Sequence, residues 1–347
     1  MAYNSIKTPR IYVDNLSYLQ SVGLGNHEGD EDAFGFNLAS PHIHSNFPPS
    51  DEALYTNRDF MYTEPIDMRY NFIAALGHTF AADIINNHMT TFGLILKKDS
   101  EPDSGEIHRV DDLSSDTDYD LTGGINTDYA LDGYSIWTFD ELSGKHDRFA
   151  LRYGIESGFG GDVTTGRVLA GSYFDFPHSP DLKLSISYQT GTKEQETKGG
   201  VTLSNNMWSV VKWGDNAAWE LNDPQAYQTI PKFSHQSRRV WSLTFSYLNK
   251  TNTFPKYNAL NRLSNESLDE DDLAYQAEYI TDGETLFDSG DFYSMVWNKV
   301  GTSLPFIFQP DNTQNEYAIA KFDQKGMTFN QQAPNLWQCK LVVKEIW

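Results

Sequence analysis

Three runs in the middle of the chain carry large apolar residues at every second position. They are RFALRYGI at 148–155, LKLSISYQ at 182–189 and VWSLTFSYL at 240–248. Because successive side chains of a β-strand point to opposite faces, each run predicts a strand with one buried face. The predicted inward residues are Phe149, Leu151, Tyr153 and Ile155, then Leu182, Leu184, Ile186 and Tyr188, then Trp241, Leu243, Phe245 and Tyr247.

The alternate positions of these runs are mostly arginine, lysine, serine or threonine, which is typical of a sheet with one face in water. The pattern therefore predicts a mainly β protein with an antiparallel β-sandwich body. Between residues 67 and 99 the apolar pattern fits two strands, or a strand with a short helix, and does not choose between them.

Elements outside the three runs predict how the chain is divided. IYV at 11–13 predicts a strand, and Asp14 is positioned to cap a helix that ends at Gly23. Near the carboxy terminus, DFYSMVWNKVG predicts a helix that ends at Gly301, and three strands follow it. The predicted divisions are an arm, short helix and extended interface segment at 1–65, the β-sandwich body at 66–248 with an acidic surface loop at 100–132, a polar linker with a short helix at 249–290, and a smaller α+β unit at 291–347.

The segment from Gly25 to Pro65 shows no sustained period and contains four prolines. Long segments without a repeat of their own usually wrap a neighbour. Its apolar side chains would be poorly buried on a lone monomer, so we expect this segment and the arm at 1–10 to contact other subunits. The candidate subunit contacts are Phe34, Phe36, Ile43 and Phe47.

Composition narrows the class of protein. The 347 residues include 48 acidic and 26 basic ones, a formal net charge of −22, which argues against sequence-independent binding to nucleic acid or to an anionic membrane. No apolar stretch approaches the ~20 residues that cross a bilayer, and the first residues lack the pattern of a secretory signal, so we expect folding in a cytoplasm. The single cysteine, Cys339, excludes an internal disulfide, and its alternation with Trp337, Leu341 and Val343 predicts a buried residue.

The candidate metal ligands do not form a complete set. Asp116, Asp118 and Asp120 have the spacing of a calcium loop, but Leu121 stands where that loop needs glycine and Thr127 where it needs a bidentate glutamate. We therefore expect a solvated acidic loop, with a looser calcium site left open. His42 and His44 lack a third ligand in register, and no nucleophile motif or phosphate-binding loop is present. The prediction is no catalytic residue, no metal and no cofactor.

A tryptophan cluster follows the second run. Exposed indole rings stack on sugars, although tryptophan in a β body more often lies in a core or an interface. The candidate carbohydrate or interface aromatics are Trp208, Trp213 and Trp219.

Two stretches resemble virion structural proteins of tailed bacteriophages, particularly marine ones. The first runs from GSYFDFPHSPDLKLSISYQ through SRRVWSLTFSYL. The second is PFIFQPD, EYAIAKFDQ and FNQQAPNLWQCKLVVKEIW, which is similar to the closing strands of distal-tail and baseplate-hub proteins. Together they cover about half of the chain, and the acidic segment at 100–132 departs from the resemblance.

The resemblance implies a non-enzymatic building block of a phage tail tip or baseplate. It implies a ring of copies that connects the tail tube to adhesion parts, located in the virion tail, with other tail or baseplate proteins and a host-surface glycan as partners. Two alternatives remain open: a receptor-binding or carbohydrate-binding β-sandwich of the virion, and a polysaccharide-degrading enzyme with an unrecognised carboxylate pair.

Overall fold

The structure is a computed structural model that describes residues 6–22, 25–27, 42–44, 54–62, 70–78, 89–97, 107–112, 126–129, 133–142, 148–155, 163–165, 167–206, 237–255, 290–314 and 317–346. The strands in chain order are β1 (Arg10–Asp14), β2 (Gly25–His27), β3 (His42–His44), β4 (Leu54–Tyr62), β5 (Tyr70–His78), β6 (Met89–Lys97), β7 (Ile107–Asp112), β8 (Asn126–Tyr129), β9 (Gly133–Leu142), β10 (Arg148–Ile155), β11 (Val163–Thr165), β12 (Arg167–Asp175), β13 (Ser185–Thr190), β14 (Thr192–Glu196), β15 (Thr202–Asn206), β16 (Ser237–Asn249), β17 (Phe306–Gln309), β18 (Ala318–Phe322), β19 (Phe329–Ala333) and β20 (Leu336–Glu345). The helices are α1 (Asn15–Val22), α2 (Lys250–Thr253) and a π-helical turn (Tyr293–Trp297) that continues into α3 (Asn298–Val300).

The fold is mainly β, as predicted, and its strands pair antiparallel. Eleven strands form one sheet in the order β13-β16-β20-β18-β17-β1-β12-β5-β9-β8, with β19 also paired to β20. A second sheet has the order β2-β4-β10-β6-β7, and β3–β11 and β14–β15 form separate pairs. The large sheet therefore joins strands from both ends of the chain.

The central strands of the large sheet are buried on both faces. In β1, Ile11 and Val13 point into one core while Tyr12 points into the other. The same alternation divides Phe306 and Phe308 of β17 from Ile307. A strand covered on both sides needs a continuous apolar run, which is what IYV and FIF provide.

Short-range signals fix the ends of the helices. The Asp14 carboxylate accepts hydrogen bonds from the backbone N–H of Leu16 (3.3 Å) and Ser17 (2.9 Å), and so caps α1 as predicted. Gly301, with a φ of +50°, ends the helical segment that the sequence predicted. Gly171 lets β12 approach β1, because a Cβ there would lie 2.0 Å from the Val13 carbonyl oxygen.

The predicted division of the chain differs from the structure. The large sheet contains β1 from the predicted arm region, β5 and β12 from the predicted body, and β17, β18 and β20 from the predicted carboxy-terminal unit. Hydrogen bonds between neighbouring strands cross each predicted boundary, and composition along the chain carries no information about which distant strands pair.

The segments expected to lack regular structure contain strands. β4 pairs with β10 over eight residue positions, so part of the segment at 25–65 bonds within its own chain instead of covering a neighbour. The described part of the arm also bonds internally: Lys7 N–H donates to the Pro310 carbonyl (3.3 Å) and Asn312 N–H to Thr8 (2.9 Å). The acidic segment at 100–132 contains β7 and β8, so it is not one continuous loop.

The inward face predicted for the second and third runs is partly wrong. Leu184 and Ile186 pack against the core, but Leu182 is 99% exposed and Tyr188 is 53% exposed. Since β13 pairs with β16 alone among the described strands, it is covered only over its middle. Trp241, Leu243 and Phe245 are buried as predicted; the first run forms β10, whose side chains lie outside the described part of the structure.

Tyr247 is the other exception, and a β-bulge explains it. The pairing of β16 with β20 shifts register between Phe245 and Leu248, and Tyr247 adopts a φ of +63°. The extra residue turns Tyr247 outward, where it is 70% exposed, and places Leu248 in the core instead.

Candidate interaction surface

One side of the large sheet changes from apolar to cationic along the strand order. Over β1, β5, β12 and β17 this side is a buried core that includes Tyr12, Phe72 and Ile307. Over β18, β20, β16 and β13 the residues of the same side are polar or basic. We call this second part the cationic face and define it by Lys183, Ser185, Ser187, Arg238, Ser242, Thr244, Lys321, Lys340 and Lys344.

Strand register brings these residues together from distant parts of the chain. Thr244 of β16 lies opposite Lys340 of β20, and Lys321 of β18 lies opposite Lys344. Ser185 of β13 lies opposite Ser242, and Asp181 N–H donates to the Thr244 carbonyl (2.8 Å), which holds the residues before β13 beside β16.

The opposite side of the same strands anchors the face to the protein. Trp241, Leu243 and Phe245 of β16 pack with Cys339 and Leu341 of β20 in the larger core cluster. Phe245 is stacked on Phe176 with ring centroids 4.1 Å apart. A strand with one side so buried cannot change register without exposing its apolar set, so the alternate residues are fixed on the outside.

Few carboxylates accompany the basic residues of the cationic face. Asp323 lies 3.9 Å from the Lys344 ammonium, and Asp181 accepts a hydrogen bond from the Ser246 hydroxyl (2.7 Å). Burial lowers the pKa of Arg238, and attraction to Glu345 opposes that shift. An arginine keeps its charge under such a perturbation, so the face remains cationic.

Glu345 does not neutralise the face, because its principal partner lies on the core side. Its carboxylate accepts hydrogen bonds from the Arg239 backbone N–H (2.9 Å), Nε (3.2 Å) and Nη2 (3.1 Å). The Arg239 guanidinium also lies 5.0 Å from the Trp241 ring centroid. This partly buried pair joins β16 to the last residue of β20.

An ordered amide and hydroxyl network closes one end of the face. Gln338 Nε2 donates to the Ser246 hydroxyl (2.8 Å), and Gln332 Nε2 donates to Gln338 Oε1 (3.1 Å). The bulge that turns Tyr247 outward follows Ser246 directly. Exposed aromatic and amide side chains on a fixed backbone are suited to contact another macromolecule.

A hairpin next to the face is exposed on both sides. β14 and β15 pair with each other over five positions, and all ten of their residues are exposed. The turn is fixed by the Thr197 and Val201 backbones (2.9 Å) and by Gly200 at φ +77°. Val201 and Leu203 add exposed apolar side chains. A two-stranded ribbon has little core of its own, so an extended hairpin is well suited to contact another molecule.

The buried polar groups of the described residues have structural roles. Burial raises the pKa of Asp14 to about 6, although hydrogen bonds from Ser17, Ala170 and Leu16 oppose the shift. The Lys299 ammonium, 4% exposed, donates to Asn15 Oδ1 (2.8 Å) and so ties α3 to α1. Burial also raises the pKa of the Cys339 thiol to about 12, which keeps it a protonated core residue as the sequence predicted.

A second polar cluster links the chain start to β12 and β17. Arg10 donates from Nε and Nη2 to the two Asp175 carboxylate oxygens, each at 2.7 Å, and its guanidinium lies 3.9 Å from the Tyr173 ring centroid. The Tyr12 hydroxyl donates to Gln309 Oε1 (2.9 Å). Each charged group has a counterpart, so the cluster stabilises the three strands.

The residues that the sequence singled out mostly lie outside the described part of the structure. These are Phe34, Phe36, Phe47, Asp116, Asp118, Asp120, Trp208, Trp213 and Trp219. For His42, Ile43 and His44 only the backbone is described, and β3 pairs there with β11. Among the described residues, no three histidine, cysteine or carboxylate side chains form a group able to hold a metal, and no helix is long and apolar enough to span a membrane.

The sequence contained the signal for the cationic face without identifying it. Lys183, Ser185 and Ser187 alternate with apolar residues, as do Ser242, Thr244 and Ser246. Only the pairing of β16 with both β13 and β20 shows that these separate polar rows form one surface. Comparison of the chain with protein-family models, with curated proteins and with solved structures found no match.

Proposed function

We propose that this chain is a non-enzymatic structural component of a bacteriophage tail tip or baseplate. It works in the virion as a ring of copies that connects the tail tube to adhesion parts. The observation that carries the proposal is the position of its carboxy-terminal strands. PFIFQPD, EYAIAKFDQ and NLWQCKLVVKEIW, which carry the resemblance to distal-tail and baseplate-hub proteins, become β17, β18 and β20, consecutive members of the large sheet.

The surface supports a role in assembly. The cationic face, the outward Tyr247 and the exposed hairpin β14–β15 are ordered features that expose charge or apolar area without a counterpart on the described surface. A net charge of −22 suits a component of a conduit for DNA, because such a ring repels the DNA that passes through it.

The proposal is tested by the size and shape of the purified full-length protein. Native mass measurement over a wide concentration range, followed by electron microscopy of the largest species, should show a closed ring of more than two copies. A protein that stays monomeric at every concentration and shows no ring contradicts the proposal.

A further inference from the structure

We propose that the cationic face binds the acidic surface of a second copy of this chain, in a head-to-tail contact. The inference rests on the proposed function, since it supplies the contact by which copies would assemble. It names one surface of one copy and the chemistry of its counterpart on the next.

The first argument is the distribution of charge. The face carries five basic residues and adjoins two carboxylates, a net charge of +3 on a chain whose net charge is −22, so the remainder of each copy carries −25. A cationic surface on so acidic a protein is a local exception, and the surface that complements it is abundant on every other copy.

The second argument is the form of the face. Lys340 and Lys183 are exposed, and serine and threonine hydroxyls occupy the strands between them. The backbone beneath is held by the pairing of β16 with β13 and β20 and by the core on the other side. The basic groups are therefore presented in a fixed arrangement, which reduces the entropy lost on binding.

The third argument concerns symmetry. Two cationic faces repel each other, so the contact is not a two-fold one in which the same patches meet. A contact between different patches leaves each copy with one free face and one free acidic surface, and it propagates until a ring closes. The charge pattern thus predicts a ring or a filament rather than a two-fold dimer.

Nucleic acid is the other polyanion that such a face might attract, but the rest of the molecule opposes its approach. A protein bound to nucleic acid must neutralise many phosphates, whereas the face offers five basic residues on a chain of net charge −22. A carboxylate surface of moderate charge density is the better counterpart.

The test compares two double variants of the full chain that carry the same change of charge. Lys183→Glu/Lys340→Glu reverses two exposed basic residues on the face, and Lys198→Glu/Lys250→Glu reverses two exposed basic residues away from it. Both should show the circular dichroism spectrum and unfolding midpoint of the parent. Self-association is measured by sedimentation velocity at about 0.05 M and about 0.5 M salt, which separates screened from unscreened charge.

We expect the parent to assemble at low salt and to assemble at least about tenfold more weakly at high salt. The face variant should lose at least about tenfold in association constant at low salt, and the matched control should assemble like the parent. An excess of face variant should shorten the assemblies of the parent, because it still offers the acidic surface but cannot continue the chain.

Three results would overturn the inference. If the parent assembles and both variants assemble like it, the face is not the contact and the proposed function stands. If both variants lose assembly equally, total charge and not this face decides. If the parent is a monomer that binds a single-stranded oligonucleotide through the face, both the inference and the proposed ring fail.

Discussion

Truncation of Phe245 tests both the core and the bulge beside it. Phe245 is fully buried in β16, lies opposite Cys339 of β20 and stacks on Phe176 with an angle of 10° between the rings. Replacing a buried phenylalanine by alanine removes the ring's transfer free energy and leaves a cavity, which together cost about 3–5 kcal/mol. The lost ring stack accounts for about 0.5–1.5 kcal/mol of that total.

Tyr247 supplies a matched control in the same strand. It has the same place in the alternating pattern as Phe245, yet it is 70% exposed beyond the bulge. Tyr247→Ala should therefore change the free energy of unfolding by no more than about 0.5 kcal/mol.

Urea unfolding of the parent and both variants, followed by tryptophan fluorescence and circular dichroism, measures the two differences. The reasoning about β16 is refuted if Tyr247→Ala destabilises as much as Phe245→Ala. It is equally refuted if Phe245→Ala unfolds at the midpoint of the parent.

Four further predictions follow from single contacts. Because Asp14 loses its proton near pH 3.8 when unfolded and near pH 6 when folded, the parent should lose up to about 3 kcal/mol of stability as pH rises from 4 to above about 6; Asp14→Asn should lack this component when denaturation curves are compared across that range. The Cys339 thiol should resist a thiol reagent at pH 8 in the native protein and react at once in urea, and rapid native reaction would contradict its burial. Glu345→Gln should cost about 1–3 kcal/mol because it leaves the Arg239 guanidinium partly buried without its counter-ion, and an unchanged urea midpoint would show that the pair contributes nothing. Tyr247→Gly should be more stable than Tyr247→Ala by about 1 kcal/mol because glycine adopts a φ of +63° without steric cost, and the reverse order would argue against the bulge.

Local patterns predicted local structure well. The strand at Ile11, the Asp14 cap, the helix end at Gly301 and the burial of Cys339 all follow from short-range sterics and hydrogen bonding, which a sequence states directly. The alternation in β16 likewise predicted which residues face the core up to Phe245.

Long-range pairing was not predictable in the same way. Nothing near Arg10 in the sequence indicates that β1 pairs with β17 and β12, which places it at the centre of the sheet. The outward turn of Tyr247 depends on a bulge against β20, and the exposure of Leu182 depends on β13 lying at the sheet edge. The cationic face was missed for the same reason, since its rows are separated in sequence and adjacent only in the folded sheet.

The measurement that tests the central claim most directly is the native mass of the purified full-length chain, combined with images of the same sample. The account predicts a species that is an integer multiple of 39.4 kDa, with more than two copies, and that forms a closed ring. A single species of 39.4 kDa at every concentration and salt, or a closed two-fold dimer, would contradict it.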